Sequence, residues 1–183
     1  MSTRDKILEL AEDFIRTKGY NGFSYSDISQ ALAVKNAAVH YYFPTKESLG
    51  ASVLEKEIQG FLAHEVHWKR LNPEEKVRKL FELFAGYGRI GLSCLMGSLC
   101  SAYETLPSQV RMNTKALGQR ILAWLTPVLE EGRKQRYFHF EGDARDRALI
   151  LLCSLMSSLL LARVQGFATL ERIHKQILQD LIA

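Results

Sequence analysis

Apolar residues recur along this 183-residue chain at spacings of three and four, the period of a helix that buries one face. Ile7, Leu8, Ala11, Phe14 and Ile15 form the first such stripe. Ser2 with Asp5 three positions on makes a capping box that opens it, and Gly19 ends it. Tyr20-Asn21-Gly22 is turn chemistry. Ser24 with Asp27 is a second capping box that launches a helix from Tyr25 to about Leu32, and Ala33-Val34 leads tightly into a third from about Asn36 to Tyr42. A long helix is expected from near Thr45 to about Arg70, with Leu49, Val53, Ile58, Phe61 and Leu62 inward; it would reach about 40 Å. Asn72-Pro73-Glu74-Glu75 restarts the chain with a cap, a first-turn proline and acids on the positive end of the dipole. Val77, Leu80, Phe81, Phe84 and Tyr87 follow. Further helices are expected over about Leu92 to Leu106, Gln109 to Lys134 with a bend at Pro127, Asp143 to Gln165, and Leu170 to Ile182. The fold class is all-α.

Three short helices within about the first 45 residues, the last two almost abutting, have the spacing of a helix-turn-helix. The remaining length is enough for a larger helical bundle, so two domains are expected, 1–48 and 49–183. Net charge is +4 and the pI about 9.0, which permits nucleic acid without the basicity of a histone-like binder. Local charge says more: bases and acids cancel over residues 1–50, yet from Ile28 to Lys46 there is no acid. Three cysteines, an odd number set in apolar helical patterns, point to a reducing cytoplasm rather than a disulfide framework. The charged, amphipathic start is not a signal peptide. The apolar run from Ala148 to Ala162 is shorter than the roughly 20 residues of a membrane span, and no membrane partner is expected.

The richest local chemistry lies in Lys35-Asn36-Ala37-Ala38-Val39-His40-Tyr41-Tyr42-Phe43-Pro44-Thr45-Lys46-Glu47-Ser48-Leu49: a short aromatic helix, a proline break and a new helix start. Tyr, His and Lys donors beside the free amides of a helix N-terminus are groups that hold DNA phosphates. Gly19-Tyr20, Ser24, Asp27-Ile28, Val34, Tyr41 or His40, Phe43, Lys46-Glu47 and Leu49 follow in an order that resembles the DNA-binding domain of the TetR family of bacterial transcriptional regulators. Ala33 stands where that family usually has the turn glycine, Lys35 where a Ser cap is common, and Ala37-Ala38 where Gly-Thr often faces the groove.

The resemblance implies a homodimeric regulator, a repressor released from a palindromic DNA operator by a small-molecule effector, without cofactor, metal or catalytic activity. It places Ser24, Tyr25, His40, Tyr41, Tyr42, Thr45 and Lys46 on phosphates, and Lys35, Asn36, Ala37 and Ala38 at base edges. Phe43 is expected in the small core with Ile28, Leu32 and Val39. By position in the family, Phe61, Trp68, Phe84, Tyr87, Leu95, Met96, Leu99, Tyr103, Trp124 and Met156 would line an effector pocket suited to an apolar or aromatic compound. Leu and Ile on more than one face of the Asp143 to Gln165 helix ask for a partner chain, and the resemblance implies dimerisation through the last two helices.

Cys94, in Cys94-Leu95-Met96-Gly97-Ser98-Leu99-Cys100, is similar in setting to sensor cysteines of one TetR subgroup; a redox or electrophile sensor of the same fold is therefore an alternative. A helical protein-interaction module using the same basic aromatic surface is another. Gly86-Tyr87-Gly88-Arg89-Ile90-Gly91 fits a dinucleotide fingerprint formally, but it follows a helical pattern and no strand. His64-Glu65-Val66-His67 lacks the spacing and third ligand of a metal site, and reads as a solvated helix face.

Overall fold

The computed structural model describes residues 1–182; Ala183, the last residue of the expected second domain, lies outside them. The described residues form nine α-helices and no strand: α1 Thr3–Lys18, α2 Tyr25–Ala31, α3 Asn36–Tyr42, α4 Lys46–Trp68, α5 Pro73–Arg89, α6 Leu95–Cys100, α7 Ser108–Lys134, α8 Ala144–Gln165 and α9 Phe167–Ile182. The chain packs as two compact units, residues 1–60 with 95–118, and residues 61–94 with 119–183.

Local sequence chemistry explains most boundaries. Ser2, Ser24 and Asn72 each accept from the amide three residues on, and the acid there accepts from the cap amide, closing three capping boxes. Thr45 Oγ1 accepts from Ser48 N at 3.0 Å and starts α4. The expected helix over Leu92 to Leu106 is much shorter. It survives only as α6, after which Ala102 N and Thr105 N make three-residue turns to Leu99 and Ala102 carbonyls; Gly97, Ser98 and Ser101 are weak helix formers. α9 begins three residues earlier than expected, directly after Gly166 at φ 91°.

In the first unit, Ile7, Ala11, Ile15, Ile28, Val39, Leu49 and Val53 are fully buried. Gly50 of α4 lets Tyr20 and Val110 approach, since a Cβ there would lie 2.7 Å and 3.2 Å from them. Glu47 accepts from Gln109 N at 2.9 Å and satisfies an orphan amide at the start of α7. Arg16 is nearly as buried as the aliphatic residues, at 2% exposure, paired with Glu12 at 2.9 Å and Glu57 at 2.8 Å.

In the second unit, α5, α8 and α9 pack on one another. Gly86 and Gly88 lie inside α5, and a Cβ on Gly88 would meet Leu170 at 2.7 Å, so this glycine serves close helix packing rather than a phosphate loop. α8 runs 22 residues and is long and apolar enough to cross a membrane, so the length argument made from 148–162 does not hold. What distinguishes it is that Ala148, Leu151, Leu152, Leu155 and Leu159 are buried within the unit. His174 of α9 is also buried, 3.0 Å from Ser158 Oγ and edge-on to Phe81. Ser158 Oγ donates to Leu155 O, so the imidazole Nε2–H donates to Ser158, and burial pushes the ring pKa down to about 4.

A lowered folded pKa means that stability is present above the unfolded value near 6.5 and is lost as pH falls through the folded one. Urea midpoints should therefore drop between about pH 6.5 and 4 by the equivalent of about 3 kcal/mol. His174→Leu should flatten that part of the profile, and an unchanged profile would count against a buried neutral ring.

Candidate nucleic-acid interface

α2 and α3 are joined through Ala33, whose φ of 52° puts a non-glycine residue in the left-handed region. Val34 N donates to Ser29 O across this turn at 3.0 Å. The turn aims α3 so that Val39 is fully buried while Lys35, Asn36, Ala37, His40, Tyr41 and Tyr42 are exposed and Ala38 half-buried. Tyr41 is 80% exposed, far beyond what an aromatic residue does without a reason, and packs edge-on to Tyr42 at 5.1 Å.

Several expected donors are already engaged within the protein. Tyr25 is buried, its hydroxyl donates to Phe43 O at 2.8 Å, and burial pushes its pKa up to about 12. It thus holds the end of α3 instead of presenting a donor. Ser24 Oγ donates to Asp27 Oδ2 at 2.6 Å within the capping box. Lys46 Nζ donates to Phe23 O and sits 4.2 Å and 4.9 Å from the Phe23 and Tyr20 ring centroids; burial holds its pKa below the ordinary lysine value. His40 lies edge-on to Tyr25 at 4.7 Å, with Nδ1 3.4 Å from Pro44 O. Thr45 caps α4. Phe43 is 2% exposed among fully buried Ile28 and Val39, with half-buried Leu32 near the turn. The arrangement is a short exposed helix without acids, framed by side chains whose own bonds fix their positions. That geometry suits a groove lined by phosphates.

Comparisons with known proteins agree. A family model described as bacterial regulatory proteins, tetR family, matches residues 7–53, which contain all of this surface. A TetR-family transcriptional regulator from Agrobacterium tumefaciens superposes with a TM-score of 0.92 at 31% identity, over 98% of this chain and 97% of that one. The chain belongs to the TetR family. A TetR regulator from Legionella pneumophila is similar at 30% identity and a TM-score of 0.88, over 99% and 98% of the two chains. The transcriptional repressor NemR of Escherichia coli is 23% identical over 92% of this chain and 88% of its own. As a member of this family the chain is a helix-turn-helix, DNA-binding transcriptional regulator.

The residues expected to line a pocket are divided between the two units. Phe61, Trp68 and Trp124 meet in one cluster, with Trp68 and Trp124 centroids 5.5 Å apart and Phe61 5.7 Å from Trp124. Phe84 and Tyr87 pair at 6.2 Å on α5, and Met156 is half-buried on α8. Leu95, Met96, Leu99 and Tyr103 belong to the first unit. An open cavity of about 530 Å³ lies in the second unit; of the expected residues it takes only Trp124, adding Leu62, Val66, Lys69, Lys76, Ala123, Pro127 and Val128, with the Arg120–Glu65 ion pair among its lining residues. Residues 120, 123, 124, 127, 128 and 131 share one face of α7, a stripe that helical periodicity alone would have shown. His64 stacks on Trp68, and His67 Nδ1 lies 2.7 Å from Ala63 O. Cys94 is buried, at 6% exposure, whereas Cys100 and Cys153 are exposed.

Two outcomes test this frame. Ala33→Gly relieves the left-handed strain and should raise stability by roughly 0.5–1 kcal/mol, read as a rise in Tm of about 2 °C; a lower Tm would show that the turn is unstrained. Tyr25→Phe leaves the Phe43 carbonyl without its donor and should cost about 1–3 kcal/mol, weakening DNA binding while the salt dependence keeps its slope. Weaker DNA binding at unchanged stability would mean that the hydroxyl meets a phosphate instead.

Proposed function

We propose that this regulator is a homodimeric repressor that binds a palindromic operator and is released by a small-molecule effector. In this reading residues 1–48 are the DNA-binding domain and residues 49–183 bind the effector and dimerise through α8 and α9. The protein works in the cytoplasm and catalyses no reaction. Lys35, Asn36, Ala37 and Ala38 face base edges; His40, Tyr41, Tyr42, Thr45 and Lys46 face phosphates, with Ser24 and Tyr25 holding the frame around them. The observation that carries the reading is the acid-free face of α3, with Tyr41 and its neighbours exposed beside a fully buried Val39. Repression is supported by relatives named as repressors, NemR and the NicS repressor of Pseudomonas putida, which is 27% identical over 84% of this chain.

The effector proposed here fills the open cavity against Trp124, with the buried rings of Phe61 and Trp68 packed on that tryptophan, and is apolar or aromatic in body. Its binding reaches the operator through α4, one uninterrupted helix that carries both Lys46 and Trp68. A coupling of about 1 to 3 kcal/mol is enough for a useful response. Two heads related by a two-fold axis would enter major grooves about 34 to 36 Å apart.

Selection from a random DNA pool should return a palindrome with half-sites at that spacing or a multiple of it. Lys46→Ala should make log K against log salt shallower by about one unit. A chain that selects no DNA at physiological salt would favour a protein-binding role for the same surface, and an unchanged slope would confine Lys46 to its contact with Phe23.

A further inference from the structure

The cavity of about 530 Å³ lined by α4, α5 and α7 holds more positive charge than its own acids can use. Lys69, Lys76 and Arg120 stand around it with Glu65 and Glu131. Both oxygens of Glu65 are taken by the Arg120 fork, Nε at 2.6 Å and Nη2 beside it. Glu131 accepts from Gln135 Nε2 at 2.9 Å and lies 4.0 Å from the Lys76 ammonium, beyond hydrogen-bond reach. The Lys76 side chain is nevertheless only 15% exposed. It sits four residues into α5, near the positive end of that helix, where a cation is disfavoured. The acids next to it are committed elsewhere, Glu74 to Arg78 at 2.7 Å and Glu75 to the Asn72 amide at 2.9 Å. Lys69 is exposed and has no ion pair among the described residues. Between these charges the wall is apolar: Leu62, Val66, Ala123, Trp124, Pro127 and Val128, with Val66 73% exposed.

We infer that this cavity takes a hydrophobic carboxylic acid in its ionised form, its apolar body against Trp124 and Val66 and its carboxylate between Lys69 and Lys76. The inference rests on the effector reading proposed above and adds the effector's charge. A neutral body filling the cavity would strip the remaining water from the Lys76 ammonium, which no acceptor among the described residues holds, and burying an unpaired charge is costly. A cationic ligand would meet two ammonium groups and no uncommitted carboxylate. An anion removes both penalties, because its oxygens replace that water with charge-assisted hydrogen bonds. Three cations and two carboxylates leave the lining with one positive charge, which a single carboxylate neutralises. The Arg120–Glu65 pair is satisfied before any ligand arrives, so recognition of the charge falls to the two lysines.

Calorimetric titration of the full-length chain with naphthalene-1-acetate and with naphthalene-1-acetamide compares one body with and without the charge. The acid should bind roughly tenfold more tightly than the amide, and Lys76→Gln should bring the two within about threefold of each other. Lys69→Gln lies at an exposed position, should keep the helical circular dichroism, and should narrow the same ratio even if the Lys76 variant proves unstable. Equal affinities for acid and amide in the unsubstituted chain would overturn the anionic site while leaving an apolar effector standing. A ratio that survives both substitutions would also overturn it, by placing the carboxylate away from these lysines. Absence of binding by either probe at millimolar concentration would reject the cavity as the site. If the acid binds with the expected ratio but the palindrome selected from random DNA is held equally tightly with and without it, the carboxylate site stands and its reading as the effector site falls.

Discussion

A guanidinium almost cut off from water sets the geometry on which the DNA-facing helices depend. Arg16 of α1 is paired with Glu12 on its own helix and with Glu57 of α4, and Lys56 reaches Glu12 at 2.9 Å. A buried charge left unpaired costs several kcal/mol, so only placements of α1 against α4 that keep both carboxylates on the guanidinium are accessible. Burial by itself would raise the Glu12 pKa; the hydrogen bonds and charges of Lys56 and Arg16 outweigh it and hold the carboxyl below its usual range. About 45 residues of three short helices bury too little surface to hold a fixed shape alone. The ion network and the Glu47 bond to α7 give them a wider base within the first unit.

On that base, the frame of the interface is built by committing polar groups to internal bonds. Ser24 is held by Asp27, Tyr25 by the Phe43 carbonyl and Lys46 by the Phe23 carbonyl and two rings. Each of these bonds fixes where the ends of α2, α3 and α4 lie. The exposed residues of α3 then inherit their positions from a framework that does not need DNA to form. Little ordering entropy remains to be lost on binding, the condition under which a few phosphate and base contacts suffice.

α8 shows a different use of the same hydrophobic chemistry. One face carries Ala148, Leu151, Leu155 and Leu159 into the second unit, while the opposite face keeps Ile150, Leu160 and Val164 in the open. A helix apolar on both faces needs two neighbours, and α5 and α9 supply only one side. His174 and Ser158 add a polar contact to that buried side, where a hydrogen bond between α8 and α9 costs the helix nothing because Ser158 also satisfies itself on Leu155 O.

The order of helices, the capping boxes at Ser2 and Ser24, the cap at Asn72 and the surface of α3 were legible from residues alone, because caps, turns and one-sided periodicity act over three or four positions. The sequence likewise showed that α8 is apolar on more than one face. The fate of individual polar groups was not legible. Nothing near Arg16 announces Glu57, which lies 41 residues on; nothing near Tyr25 or Lys46 shows that their polar ends meet the Phe43 and Phe23 carbonyls, 18 and 23 residues distant. The same holds for the pocket residues: Phe61, Trp68 and Trp124 come together while Leu95, Met96, Leu99 and Tyr103 fall in the other unit. Local periodicity tells which side of a helix is buried, but which group a buried side chain meets depends on contacts between distant segments, and only the tertiary packing decides those.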